Sequence, residues 1–290
     1  MNSANAGEPL FGYLYTTDLL PKGHWELEQW ITDREGQAQG QYHHFDFRSE
    51  LEYGITDNFQ LAVYFNSMYL NASANSVRGR TEGIEIPYHH DSSQPYSRFR
   101  FDGVSVEAIY RILSPYIDPI GLAVYLEPEF GTWSNGLELK VIIQKNLLDD
   151  LLVLAANFWV EYERESGSNL VLPGSSEIPD GVPANATHAE IDFGASYRFM
   201  ANWSAGLELR NHNEFGGLSL KRSDQDHTAL FVGPNIHYAS EHWFFTLSAI
   251  RQIAGFGFTE DQVAETANGR LYGDEHTTWD GIRLKVGFPL

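Results

Sequence analysis

The chain has 290 residues, a formal net charge of −20 and no cysteine. That charge repels nucleic acid, and the missing thiols exclude disulfides, Cys-ligated zinc and thiol nucleophiles. Hydrophobic residues make up 42% of the chain, yet no stretch approaches the ~20 consecutive apolar residues of a membrane helix, so helical spans are excluded.

Residues 1–23 show no clear period. The opening Met1-Asn2-Ser3-Ala4-Asn5-Ala6 lacks the basic start and apolar core of a signal peptide. The expectation is a mature exported chain, with Met1 an added start and an export signal encoded upstream. This segment is read as a periplasmic tail or a plug, and residues 24–290 as a barrel.

From there period two dominates, the signature of strands whose successive side chains point to opposite faces. Phe45, Phe47, Leu51 and Tyr53 share one face, while Asp46, Arg48, Glu50 and Glu52 share the other. The pattern predicts about twelve strands, at residues 24–33, 42–53, 59–70, 103–112, 121–132, 136–146, 151–163, 188–199, 203–213, 229–238, 243–252 and 279–290. Each approximates the ~9–11 residues that cross a bilayer at a tilt. One phase defect, between Phe99/Phe101 and Val104/Val106, predicts a bulge near Asp102-Gly103.

Short connections, such as 54–58 and 200–202, alternate with generally longer ones, such as 71–98, 164–187 and 253–278. Aromatics on the apolar face gather near the short turns: Tyr53, Phe59, Tyr110, Tyr197, Phe199, Trp203, Tyr238, Trp243 and Phe288. Phe45, Tyr69, Phe130 and Tyr162 lie near the long links. Two such belts mark membrane interfaces. The expected fold is therefore all-β: a closed, antiparallel, up-and-down transmembrane barrel of about 12 strands, with short periplasmic turns and long extracellular loops. A soluble β-sandwich also alternates, but it needs neither turn asymmetry nor aromatic belts.

Two stretches carry a resemblance. Gly12 to Glu28 contains Pro21-Lys22-Gly23 before a strand with acidic residues, and Glu52 to Leu61 contains Tyr53-Gly54-Ile55-Thr56-Asp57 at a turn. Both resemble poorly characterised, transporter-like outer-membrane barrels, some labelled as linked to phenol degradation. The resemblance covers roughly the first sixty residues and implies an outer-membrane barrel. It carries over no catalytic residue. The terminal Phe288-Pro289-Leu290 departs from the aromatic ending of many such proteins.

With apolar residues toward lipid, the lumen face carries Glu26, Glu28, Asp46, Arg48, Glu50, Glu52, Glu107, Arg111, Glu127, Glu129, Glu138, Lys140, Glu161, Glu163, Glu190, Asp192, Arg198, Glu208, Arg210, His212, Glu214, Arg283 and Lys285, acids outnumbering bases about two to one. Tyr125, Trp133, Ile142 and Phe231 add bulk. Twelve tilted strands give a backbone radius of roughly 12 Å, which long charged side chains largely fill. Two readings stay open: an ion-pair network sealing the barrel, or a narrow cation-preferring pore.

No metal site is assigned on the strands. His43-His44 and His89-His90 are adjacent pairs that point apart if extended. Glu208, Arg210, His212 and Glu214 line one face, with a lumen hydrogen-bond chain preferred over a metal or acid–base role. Ser204 and His212 are too far apart along a strand to pair, so no catalytic residue is named. The acidic loop with Glu260, Asp261, Glu265, Asp274 and Glu275 offers oxygen ligands for Ca²⁺ or Mg²⁺ beside lipopolysaccharide. The expected partners are outer-membrane lipid, lipopolysaccharide and the barrel-assembly machinery, with the barrel a monomer. The expected function is channel- or transporter-like passage of a small solute. The alternatives are a lipid- or glycan-acting barrel enzyme and a soluble carbohydrate-binding sandwich.

Overall fold

The computed structural model describes residues 9–84, 86–87, 89–165, 185–273 and 276–290. Twelve strands close into one ring: β1 Trp25–Glu35, β2 Gln41–Thr56, β3 Phe59–Ser73, β4 Tyr96–Leu113, β5 Gly121–Gly131, β6 Ser134–Leu147, β7 Leu152–Glu165, β8 Asn185–Met200, β9 Trp203–Gly216, β10 Gln225–Ala239, β11 Phe244–Gly257 and β14 Trp279–Pro289. Between β11 and β14 lie a short helix, Glu260–Ala264, and a small ribbon, β12 Thr266–Ala267 with β13 Arg270–Leu271. Neighbours in sequence pair antiparallel, and β1 closes the ring on β14, with Leu27 opposite Phe288 and Ile31 opposite Leu284. Closure satisfies every strand edge, which a bilayer demands because hydrocarbon offers backbone groups no partner.

The expected twelve strands are all present, and most run longer than their apolar alternation. Strand β4 begins at Tyr96, ahead of the phase defect at Asp102, and β10 at Gln225, where both faces are polar and alternation gives no signal. The bulge expected near Asp102 is present: Phe101 pairs with Ser67 and Gly103 with Asn66, leaving Asp102 as the extra residue. Further register shifts were not anticipated, and two of them lie beside the β11–β14 link. Ile253 is extra between Gln252 and Ala254, and Asp280 is extra between Trp279 and Gly281.

Orientation follows the period. Val124, Leu126, Leu139, Val141, Phe158 and Phe193 are exposed on the outside, whereas Ala123, Tyr125, Glu127, Ile142, Asn157 and Asp192 are buried on the inside. The apolar side chains do not meet in a dry layer between two sheets, so the sandwich reading falls. An outward apolar face needs hydrocarbon around it. Leu139→Arg, at mid-strand in β6 and 54% exposed, is expected to cost about 2–4 kcal/mol in lipid. Urea unfolding of the barrel in phospholipid vesicles measures it.

At one end of the ring the connections are short, as at 57–58 and 201–202. The turn 148–151 tightens through three successive residues at positive φ, Leu148, Asp149 and Asp150. At the other end, longer links fold inward over the mouth. Asn75, Ser76 and Thr81 of the β3–β4 link are buried, as are Leu271, Tyr272, His276 and Thr277 between β11 and β14. Gln252 anchors the latter, donating to Leu271 O at 2.8 Å and accepting from Leu271 N at 2.6 Å.

Candidate functional site: the occupied lumen

Residues 9–20 do not join the sheet. They cross the inside of the ring toward its short-turn end, and Phe11, Leu14, Thr17, Leu19 and Leu20 are buried there. A backbone in that position must find hydrogen-bond partners away from water, and inward side chains of the wall supply them. Glu208 on β9 accepts from Gly12 N at 2.9 Å and Tyr13 N at 2.8 Å. Asn157 on β7 brackets Tyr15, accepting from its N at 2.6 Å and donating to its O at 3.0 Å. Gln144 on β6 accepts from Thr17 N at 2.7 Å, and Gln60 on β3 from Leu20 N at 2.8 Å. Thr246 on β11 donates to Pro9 O. Burial pushes the Asp18 carboxyl above its ordinary range, against the lowering effect of hydrogen bonds from Tyr116 and Gln144.

The wall is notched where the segment touches it. A Cβ on Gly194 would stand 2.7 Å from the Phe11 ring, and one on Gly281 would stand 1.5 Å from the Tyr13 hydroxyl. In the other direction, a Cβ on Gly12 would meet Ser248 Cβ at 2.4 Å. Segment and wall therefore fit at backbone distance.

Above this floor lies the charged interior. Arg48 pairs with Glu127 and sits over the Tyr64 ring at 4.1 Å. Lys140 Nζ lies 2.7 Å from Glu138 and 4.4 Å from the Tyr15 ring centre. Arg210 pairs with Glu190 and reaches Asp280 at 2.7 Å. Arg34 pairs with Asp46. Arg283 stacks on Tyr13 at 3.9 Å, and Lys285 on Trp30 at 3.7 Å. Glu107 accepts from Tyr64 at 2.6 Å and Tyr15 at 3.1 Å. Cations set against carboxylates and aromatic faces are the arrangement by which buried charge is compensated. Within this network remains a chamber of ≈ 210 Å³, with Tyr13 and Tyr15 at its floor and Glu161, Asp192, His212 and His276 on its wall. That is below the ~300–1,000 Å³ of sites for drug-sized ligands.

Of the residues assigned to the lumen, Glu26, Glu28, Glu50, Glu52, Glu107, Glu127, Lys140, Glu190, Asp192, Glu208, His212 and Lys285 are buried inside the ring. Asp46, Arg48, Glu129, Glu138, Glu161, Glu163, Glu214, Arg210 and Arg283 are half-buried. Arg111 sits at the rim and reaches Thr17 O at 3.3 Å, and Arg198 is half-buried on the inner parity of β8. Trp133 belongs to the link between β5 and β6, where Arg100 stacks on it at 5.0 Å. Around the outside, the belt aromatics meet in pairs: Tyr53 with Trp25 at 4.3 Å, Phe59 with Tyr110 at 6.5 Å, Trp203 with Tyr238 at 4.9 Å and Tyr238 with Trp243 at 5.1 Å. Tyr197 and Phe288 are exposed on the same outer face.

Several residues of the interior escaped the sequence reading. Asp280 has the parity of the outward Ile282, and only its bulge turns it in. Asp280-Gly281 repeats the Asp102-Gly103 pair, which was the available signal. Tyr13 and Tyr15 lie in the aperiodic segment. His227 and His276 lie in stretches read as links. Ser204 and His212 sit far apart on β9, and His237 bonds Thr246 at 2.8 Å. Glu260 and Asp261 are exposed on the short helix, while Asp274 and Glu275 lie outside the described residues.

The chain is similar in structure to the COG4313 outer membrane channel from Pseudomonas putida F1, at 11% identity and a TM-score of 0.58, covering 94% of this chain and 98% of that one. It is also similar to the NanC porin, at 12% identity and a TM-score of 0.52, covering 91% and 100%. At such identities the likeness is one of fold, and neither structure carries the phenol-degradation label. No curated protein matches. A closed ring with an apolar exterior and the fold of these proteins is a barrel of the bacterial outer membrane. A family of unknown function (DUF6662) matches residues 3–290, nearly the whole chain, and the protein belongs to that family.

Proposed function

We propose that the barrel is a gated passage for small polar solutes, in which residues 9–20 are the gate. The observation that carries this reading is the way that segment is held. Its backbone is bonded by side chains of β3, β6, β7, β9 and β11 and by no ladder of the sheet. Each such bond contributes about 1 kcal/mol net, and somewhat more where Glu208 accepts. The segment is therefore firmly seated and yet separable from the ring. Pro21-Lys22-Gly23 links it to β1, with Gly23 at φ 84° as a natural pivot. The fold shared with a channel and a porin supports passage. Behind the gate, the excess of inward acids favours cations over anions.

The test compares the full chain with one lacking residues 1–20 in planar bilayers. The full chain should be silent or nearly so, and the shortened barrel should conduct with a reversal potential on the cation side. Heat-modifiable migration on a detergent gel establishes that both are folded. A shortened, folded barrel that stays silent, or a full chain that conducts equally, would show that residues 9–20 are not a gate.

A further inference from the structure

Three histidines from separate parts of the chain converge beside the chamber, which His212 and His276 line. His212 comes from β9 and His227 from β10, where the register sets Ala229 opposite His212 and Glu214 opposite His227, so the two rings are diagonal neighbours on the inner face. His276 comes down from the link between β11 and β14. All three are buried. Their ring centres are 5.7 Å apart for His212 and His227, 5.1 Å for His212 and His276, and 4.6 Å for His227 and His276. One nitrogen of each lies within 4.8 Å of the other two.

We propose that His212, His227 and His276 bind one divalent transition-metal ion of the Zn²⁺ class. Zinc holds imidazole nitrogens at about 2.0–2.1 Å, which puts tetrahedral ligand atoms about 3.3 Å apart. The three nitrogens, within 4.8 Å of one another, stand at most about 1.5 Å beyond that spacing. The surroundings supply the support that metal-bound histidines need. Glu190 accepts from His212 Nδ1 at 2.8 Å, fixing that ring and directing Nε2 inward, and Arg210 holds Glu190 in turn. Glu214 stands 3.6 Å from His227 Nε2. His188 Nδ1 lies 3.4 Å from His212 Nε2 but is grouped with Glu214 rather than with His227 and His276. Phe231 and Trp159 pack against His276 and His212, limiting water. Imidazole donors select Zn²⁺, Cu²⁺ or Ni²⁺ over the oxygen-seeking Ca²⁺ and Mg²⁺. Since two ligands belong to the wall and one to the mouth-covering link, the ion also ties that link down.

The experiment titrates Zn²⁺, and separately Mg²⁺, into chelator-treated full-length barrel in detergent, followed by calorimetry. One Zn²⁺ per barrel and no Mg²⁺ is the expected result. His276→Ala lies off the sheet and leaves the wall intact, and it should weaken Zn²⁺ binding by about 100-fold or more. Glu190→Gln should weaken it about 10- to 100-fold. His89→Ala, in an exposed link, should bind as the parent does. Zn²⁺ should also slow proteolytic cleavage within residues 258–278 of the parent but not of His276→Ala. Absence of stoichiometric binding, or binding that survives both His227→Ala and His276→Ala in barrels that migrate as folded, overturns the site. No conductance enters this measurement, so it stands or falls apart from the gate.

Discussion

Arg210→Met should destabilise the barrel by about 3–5 kcal/mol, the cost of stranding buried charge. Arg210 is the hub of the interior. Its guanidinium takes Glu190 from β8 with two nitrogens and Asp280 at the start of β14 with a third. These strands are not neighbours in the ring, so the hub braces the lumen across a chord. Removing the cation leaves two carboxylates facing one another beside His212 and Asp192. The triple variant Arg210→Met/Glu190→Gln/Asp280→Asn removes the charges together and should recover most of the loss, because neutral amides need far less compensation than ions. Urea midpoints in vesicles separate the cases. A single variant as stable as the parent would show that water, not Arg210, compensates those acids.

Gly281→Leu should drive the N-terminal segment from its seat. The space a side chain would enter is occupied by the Tyr13 hydroxyl, and β14 is fixed by ladders on both sides. Overpacking of this kind costs about 1–3 kcal/mol. At a factor of ten per ~1.4 kcal/mol, the open population rises by roughly 5- to 150-fold. The chain has no cysteine, so Thr17→Cys provides one thiol, buried when the segment is seated. Its alkylation rate should rise by that factor in the Gly281→Leu background. Gly194→Leu, under Phe11, should act in the same direction. Equal rates in all three proteins would mean that the notches do not hold the segment.

The ring was legible because a bilayer-spanning strand must be apolar on one side over its whole crossing. Phe45 to Tyr53 and Ala189 to Phe199 announce this residue by residue. Legibility stops where that demand stops. Beyond the hydrocarbon, as at Gln225 to His227, a strand has two polar faces and no period to read. Bulges break the count: Asp102 was caught because apolar residues flank it on both sides, whereas Asp280 begins its strand and has no prior phase to contradict. The segment 9–20 was harder still. Phe11, Leu14 and Leu19 follow neither period, since they pack as single knobs against a wall made by distant strands. Gln60, Gln144 and Asn157 look like any inward polar residue until the backbone they serve is seen. The histidine group is assembled from two strands and a link and leaves no local spacing at all.

The seam between β1 and β14 joins the first strand to the last, so it can zip only when the rest of the sheet is made. Leu20 and Trp25 are five residues apart, at most ~17 Å of chain. The segment that fills the hole is thus leashed to the closing edge itself. Its amides are bound from β3, β6, β7 and β9, strands spread around the circumference. Seated, it ties those strands to one another across the hollow, as a mandrel fits the tube around it.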